Sequence, residues 1–293
     1  MVNGFEGASV TSDANAIVIE AQNLFGPRSC EIHGIKTFNG AKADDVILKT
    51  ASVIINTKSP LASVFDDVII GKQAILPEVD DIVYEDRLGT TGWIYRKKIL
   101  VGTRDLLIHH GVPVLKEDFE KKYTRKGRKV LYLAEAGKLM AMFVVSYSAD
   151  PQLKKALRKL EKSGMTILVR SADPFINDES IAELFELPDG YIRVMNSSNG
   201  RAFEKYSKSP AYIVHNGSAL GLVSAFSAAE DLQETRKLIS VLISFGSALG
   251  LGVVGLLAFV GGIDQLDAIK VALFQAAWCI FVNLLAKIKS LFM

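Results

Sequence analysis

The last 56 residues of the chain contain two long stretches without charged side chains. The first, from Leu238 to Ile263, holds 26 residues with no ionisable group, and the second, from Val271 to Ala286, holds 16. About 20 apolar residues of helix cross the hydrocarbon core of a bilayer, so the first stretch is long enough to span it. The second reaches that length when the stem of Lys270 and the residues before it are added. The two stretches therefore predict a transmembrane helix pair over residues 236–293.

A pair of buried core helices is the alternative interpretation. Six glycines would weaken a soluble helix but allow close packing between membrane helices; these are Gly246, Gly250, Gly252, Gly255, Gly261 and Gly262. The outer ends carry Arg236 and Lys287, whereas the link between the stretches carries Asp264 and Asp267. By the positive-inside rule, we expect a multi-pass protein of the cell membrane whose large N-terminal region lies in the cytoplasm.

The composition of the preceding region limits the classes of partner. The net charge of the whole chain is only +2, which does not indicate a basic surface for a nucleic-acid backbone. We therefore expect no nucleic-acid partner. One basic cluster runs from Lys121 to Lys129, and it is interpreted as a solvated loop or, alternatively, as a patch for lipid headgroups or a protein partner. Cys30 and Cys279 show neither a disulfide framework nor metal-ligand spacing.

Two kinds of β pattern predict an α/β fold. Short alternating runs between residues 81 and 145 predict an antiparallel sheet. Near-continuous apolar runs at 16–19, 165–169 and 210–214 alternate with helical patterns and predict a Rossmann-like parallel sheet covered on both faces. The antiparallel part interrupts the parallel part. We therefore predict a parallel-sheet domain with an inserted α+β domain and a C-terminal transmembrane helix pair.

The predicted domain boundaries follow from these changes of pattern. Residues 1–37 and 141–235 form the parallel-sheet domain, residues 38–140 form the inserted domain, and residues 236–293 form the transmembrane pair. The predicted strand at 16–19 precedes the insertion, so the first part of the sheet comes from the beginning of the chain.

Four local motifs follow one another along the chain. They are 51–62 ending in Ser59-Pro60-Leu61-Ala62, Gly89–Ile94 with Ile99–Arg104, 151–173 ending in Ser171-Ala172-Asp173, and Asn283 with Ala286. In this order they resemble the S-E-H-P-L-A helix pair, G-K-G-V-x-G with V-L-V-G-N-R, the stretch from R-P-E to T-G-D, and the final N-A-L of heavy-metal-transporting P-type ATPases. The resemblance covers most of the chain. It implies the C-terminal half of such a pump, with a phosphorylation-type, haloacid-dehalogenase-like domain and an inserted nucleotide-binding-type domain.

The chain departs from the family at the positions that carry the chemistry. Glu20 replaces the phosphorylated aspartate of D-K-T-G-T, and its extra methylene displaces the carboxylate in a reaction that tolerates errors of only about 1 Å. Ser171 and Asp173 keep the hydroxyl and carboxylate of T-G-D, and Tyr147 matches the aspartate ahead of R-P. The counterpart of G-D-G-x-N-D, at residues 215–220, has no carboxylate. Mg²⁺ is usually held by carboxylates, so the resemblance implies degenerate catalytic positions Glu20, Ser171 and Asp173 and no metal site.

The resemblance also implies a weak nucleotide site. Its positions are Ser59 and Pro60, where the family has a base-contacting His before proline, and the glycines Gly89 and Gly92. Arg87 replaces the first glycine of the family's G-x-G. The structural alternatives are that both glycines serve turns, that Asp173 forms a turn or helix cap and that Glu20 is a polar strand end.

Two functions remain open from the sequence. The first is a degenerate P-type-ATPase-like membrane protein that acts as a non-catalytic binding or regulatory module, with no cofactor. The alternative is part of an active ATP-driven cation or heavy-metal transporter, which would need ATP and Mg²⁺. The expected partners are the membrane and either an upstream transmembrane region of the same protein or another membrane protein. An intact haloacid-dehalogenase-type phosphatase is excluded because the strand before Glu20 lacks an Asp-x-Asp nucleophile motif.

Overall fold

The computed structural model describes residues 4–26, 29–57, 59–70, 72–196, 198–199 and 217–291. The elements, in chain order, are α1 (Gly4–Ser12), β1 (Ala16–Glu20), α2 (Ala21–Leu24), β2 (Cys30–Thr37), α3 (Ala43–Ile55), α4 (Leu61–Val68), β3 (Asp80–Glu85), β4 (Gly89–Ile94), β5 (Lys97–Gly102), α5 (Arg104–His109), α6 (Glu117–Lys121), β6 (Lys129–Glu135), β7 (Lys138–Tyr147), α7 (Pro151–Glu161), β8 (Thr166–Arg170), α8 (Asp178–Phe185), β9 (Ile192–Met195), α9 (Ala219–Phe259) and α10 (Ala268–Leu291). One unit of the chain carries both sheets and continues to Ser224, and the other comprises α1 and the chain from Ala225 onward.

The parallel sheet has the order β1-β8-β9, with β8 in the centre. Residues of β1 and β8 pair in register from Ala16 opposite Thr166 to Glu20 opposite Arg170. The inward side chains of both strands are apolar and buried, as expected for parallel strands covered by helices. The predicted strand at 210–214 lies outside the described residues.

The antiparallel sheet has the order β2-β7-β6-β5-β4-β3 and is inserted in the chain between β1 and β8. Helices pack on both faces of its central strands. On one face, Phe65 of α4 packs edge-on against Phe143 of β7, with the ring centroids 5.4 Å apart. On the other face, α5 packs in a core that includes Tyr132 and Met142. Strand β6 is therefore buried continuously from Val130 to Glu135.

Two strands were absent from the sequence-based expectation. Strand β2 pairs with β7 from Cys30 opposite Tyr147 to Thr37 opposite Ala141, so the antiparallel sheet extends beyond residues 38–140 at both ends. Strand β9 has only four residues. The division of the chain into domains at residues 37, 140 and 235 stays a prediction. The predicted fold class is confirmed: a parallel sheet, a separate antiparallel sheet inserted in the chain, and two apolar C-terminal helices.

Helices α9 and α10 have the length and composition to cross a membrane. In the most apolar stretch of each helix, only 6% of the residues are buried. The two helices run antiparallel, since the Nζ atom of Lys289 lies 3.2 Å from Glu234 and the indole N–H of Trp278 donates to the Leu242 carbonyl at 3.0 Å. Helix α9 ends near Gly261, whose positive φ of 70° suits a glycine after a helix.

A glycine of α9 allows the tryptophan of α10 to approach. A Cβ atom built on Gly246 would overlap the indole ring of Trp278, whereas one built on Gly252 would have no atom within 4 Å. The indole contacts the rings of Phe245 and Phe281, with centroid distances of 6.0 and 5.4 Å. Close packing at a small residue, with a hydrogen bond to backbone, is a typical contact between membrane helices.

We expect Gly246→Val to displace Trp278 and to break its hydrogen bond to Leu242, at a cost of about 1–3 kcal/mol for overpacking. The measurement is the fluorescence emission of Trp278 in full-length protein carrying Trp93→Phe. Gly252→Val is the matched control, because its new side chain meets open space. Equal spectra for the two valine variants would contradict this packing.

Candidate functional site

The carboxylate of Asp173 lies in the loop between β8 and α8 and has no exposed surface. Its Oδ2 atom accepts hydrogen bonds from the hydroxyls of Ser59, at 2.7 Å, and Tyr147, at 2.8 Å. Its Oδ1 atom accepts from the backbone N–H of Phe175 at 3.0 Å, and its own N–H donates to Ser171 Oγ at 3.0 Å. The structure thus brings together predicted site residues that are 114 positions apart in the chain.

Burial determines the electrostatics of this cluster. It raises the pKa of Asp173, and the hydrogen bonds from Ser59, Phe175 and Tyr147 oppose that rise. Within the described residues, no lysine, arginine or histidine forms an ion pair with Asp173. A buried carboxylate without a cation depends on hydrogen-bond donors for its stability.

The neighbours of Asp173 are held in their neutral forms. Burial raises the pKa of Tyr147, and the charge of Asp173 raises it further. The same two causes, in the same order, raise the pKa of the Cys30 thiol, which lies opposite Tyr147 in the β2–β7 pairing. The Tyr147 ring also contacts Phe25 and Phe175, at centroid distances of 5.8 and 6.3 Å. The cluster therefore holds one acid among neutral hydroxyl and thiol groups.

Tyr84 of β3 connects a further segment to the same loop. Its hydroxyl donates to the backbone carbonyl of Asp173 at 3.5 Å, at the long end of hydrogen-bond distances. The backbone N–H of Arg87 donates to that hydroxyl at 3.3 Å. Burial raises the pKa of Tyr84 to about 12. The inserted sheet thus contacts the Asp173 loop through a residue that the sequence did not single out.

Glu20 lies at the carboxyl end of β1, as predicted, and forms an ion pair with Arg170. The Nη1 atom of Arg170 lies 2.8 Å from Oε1 of Glu20, and both side chains are mostly buried, with 18% and 23% exposed. The two residues face each other because they end neighbouring parallel strands in register. Arg170 was not predicted, although two apolar runs ending in opposite charges could have indicated the pair.

Ser59 and Pro60 lie at the start of α4, where the predicted nucleotide site begins. Ser59 is 1% exposed, and besides donating to Asp173, its Oγ accepts from the Leu61 N–H at 3.1 Å. Pro60 supplies the first helical backbone angles. In this structure the Ser59 hydroxyl is occupied by protein partners, and its role in nucleotide binding stays a prediction.

Gly89 and Gly92 lie on β4, where packing accounts for both glycines. Gly89 has a φ of 147°, and a Cβ there would lie 2.5 Å from Gly102 Cα. A Cβ on Gly92 would lie 2.7 Å from Val79 Cγ1. Backbone contacts thus exclude a side chain at Gly89, and one at Gly92 would have to displace Val79. Nucleotide contact by these glycines stays a prediction.

Comparison with known proteins agrees with the motifs. No protein-family model matches the chain. Copper-transporting ATPase 2 of Rhizobium meliloti (strain 1021) is 20% identical to it over 219 residues, which are 74% of this chain and 26% of that protein. The predicted resemblance to heavy-metal-transporting P-type ATPases is confirmed. The chain spans about a quarter of the length of this curated P-type relative.

Two solved P-type ATPase structures are also similar to the chain. A zinc-transporting PIB-type ATPase in its E2.Pi state aligns with a TM-score of 0.45 and 12% identity, over 96% of this chain and 51% of that chain. The catalytic domain of a CPx-ATPase aligns with a TM-score of 0.41 and 17% identity, over 71% of this chain and 72% of that chain.

We expect Asp173→Asn to remove a pH dependence of stability. The raised pKa means that the folded protein binds this proton more tightly than the unfolded chain does. The stability from Asp173 is then complete below its unfolded pKa of about 3.9 and is lost as pH rises through the folded pKa. Melting temperature against pH should fall over that window in the parent protein and not in Asp173→Asn. Asp189→Asn, at an exposed aspartate, should keep the fall.

Asp173→Ala should be less stable than Asp173→Asn by about 2 kcal/mol or more, because the buried donors Ser59, Tyr147 and Phe175 lose their acceptor. Denaturant unfolding of the two variants measures this difference. Equal stability of the alanine and asparagine variants would contradict the need for a hydrogen-bond acceptor at position 173.

Proposed function

We propose that the chain is a degenerate P-type-ATPase-like membrane protein whose cytoplasmic part is a non-catalytic binding or regulatory module. The observation that carries this proposal is the hydrogen bond from Ser59 to Asp173. Ser59 stands where the family resemblance places a base-contacting His, and Asp173 stands at the T-G-D aspartate. The two positions are bonded to each other in a site without exposed surface.

The replacement at position 147 supports the same proposal. The resemblance places an aspartate there, and two carboxylates sharing a buried site would repel each other. Tyr147 supplies a donor in place of a second negative charge, at 2.8 Å from Asp173. Two departures from the family pattern, Ser59 and Tyr147, thus turn donors towards one retained carboxylate. Through these hydrogen bonds, Ser59 and Tyr147 connect the inserted part of the chain to the β8–α8 loop.

The charge arrangement at Glu20 also disfavours phosphoryl transfer. Its carboxylate is paired with Arg170, and the longer side chain moves it from the position of a shorter aspartate. Phosphoryl transfer depends on cations that neutralise the charge of the phosphate, and Mg²⁺ is usually held by carboxylates. The sequence counterpart of the family's metal-binding motif has none.

A second candidate function is part of an active ATP-driven cation transporter, with ATP and Mg²⁺ as cofactors. The similarity to a copper-transporting ATPase favours it. In that case Glu20 would have to be released from Arg170 to accept a phosphoryl group, and Ser59 would have to be released from Asp173 to admit a nucleotide.

Incubation with labelled ATP and Mg²⁺ distinguishes the two candidates. We expect the full chain to form no acid-stable phosphoenzyme, and Glu20→Asp alone to form none, because the metal carboxylates stay absent. Glu117→Gln, at an exposed carboxylate, is the control. Labelling that disappears in Glu20→Gln but persists in this control would contradict the non-catalytic proposal and favour the active transporter.

The proposed topology places both outer ends of the α9–α10 pair in the cytoplasm, in a multi-pass cell-membrane protein. The basic residues Arg236 and Lys287 at those ends support it. In a background with serine at Cys30 and Cys279, a cysteine at Gln265 should react with an impermeant maleimide in intact cells. A cysteine at Lys289 should react only after permeabilisation. The opposite pattern would reverse the topology.

A further inference from the structure

A cleft of about 300 Å³ opens on the antiparallel sheet at its β2 edge. Its floor is formed by Gly34 of β2 and Met142 and Val144 of β7. These residues share one face, since Gly34 pairs with Val144 and Lys36 pairs with Met142. Met142 also belongs to the core beneath α5. The cleft therefore lies beside α5, on the part of the same sheet face that belongs to the edge strand β2 and its neighbour β7.

A β-bulge shapes one side of the cleft. The register of β2 against β7 shifts between Ile32 and Gly34, which leaves His33 as the extra residue. Bulges redirect side chains at sheet edges. The Nε2 atom of His33 lies 2.7 Å from Ser146 Oγ and 3.9 Å from the Glu31 carboxylate. His33 and Gly34 both line the cleft.

Three permanent cations converge on this cleft from different parts of the chain. They are Lys36 of β2 and Lys122 and Arg128 of the segment between α6 and β6. The ammonium of Lys36 lies 4.6 Å from the centre of the Phe119 ring. In the part of the chain that the structure describes, none of the three forms an ion pair with a carboxylate. The cleft lining itself contains no aspartate or glutamate among the described residues.

We propose that the cleft binds a phosphate monoester, carried by a lipid headgroup or by a soluble molecule. Lysine and arginine are the side chains that bind phosphate, and a bound dianion would offset the repulsion among the three cations. The cleft also has an aromatic wall, Tyr123, and an apolar floor, and its volume is at the lower end for small-molecule sites. None of Ser59, Gly89 and Asp173 lines the cleft, and the inference is independent of the proposed function.

Lysine acetylation followed by mass spectrometry tests the site in the full chain, held in phosphatidylcholine nanodiscs. One arm adds inorganic phosphate, with sodium chloride of equal ionic strength as its control. The other arm uses nanodiscs with phosphatidylinositol 4-phosphate, with the phosphate-free anion cholesteryl hemisuccinate as its control. A probe at about nine times its dissociation constant should slow acetylation of Lys36 and Lys122 about tenfold. Exposed Lys138 is the internal reference.

Two variants make the test specific. Gly34→Leu should abolish the protection by filling the floor, and the fold tolerates it because a Cβ there meets no atom within 4 Å and the backbone is outside the left-handed region. Arg128→Gln should weaken the protection, and Lys155→Gln, at an exposed lysine of α7, should leave it unchanged. Protection by inorganic phosphate alone assigns a soluble ligand, and protection by the phosphoinositide alone assigns a lipid headgroup. Protection in both arms supports the phosphate site for either source. No protection in either arm, or protection that survives both cleft variants, overturns the proposal.

Discussion

The buried carboxylate of Asp173 depends on donors from distant parts of the chain. Removal of a charge from water is unfavourable unless hydrogen bonds replace the lost solvation. Here Ser59 from the start of α4, Tyr147 from the end of β7 and the N–H of Phe175 replace it. Separation of these segments would leave both the acceptor and its donors without partners. The hydrogen bonds that stabilise the buried Asp173 carboxylate therefore also hold the β8–α8 loop and the inserted sheet together.

This requirement gives the departures from the family pattern a common physical reason. A buried acid is stable only where its hydrogen-bond donors are present and close to it. The short side chain of Ser59 allows direct contact with Asp173, and the Tyr147 ring packs among Phe25 and Phe175 while its hydroxyl bonds the acid. Ser59 and Tyr147 thus each supply a hydroxyl donor to a buried acid.

The sequence was sufficient for elements with regular patterns and insufficient for contacts between distant segments. The apolar run at 16–19 predicted β1, and the two uncharged stretches predicted α9 and α10. Strand β2 escaped prediction because Gly34 and the bulge at His33 break its alternation, and β9 is too short to show a period. Family resemblance indicated Ser59 and Asp173 separately. Their hydrogen bond could not be derived, because nothing local relates residues 114 positions apart.

The α9–α10 pair meets the same demand by a different route. An indole N–H in an apolar environment needs an acceptor, and Trp278 uses the Leu242 carbonyl, already part of a helix. That contact requires the indole to reach the backbone of α9, and only a residue without a side chain at position 246 leaves the space. A glycine that lowers the helix propensity of α9 thus supports the pairing of the two helices. The Asp173 carboxylate requires hydroxyl donors at positions 59 and 147. In the same way, the Trp278 indole N–H requires a glycine at position 246.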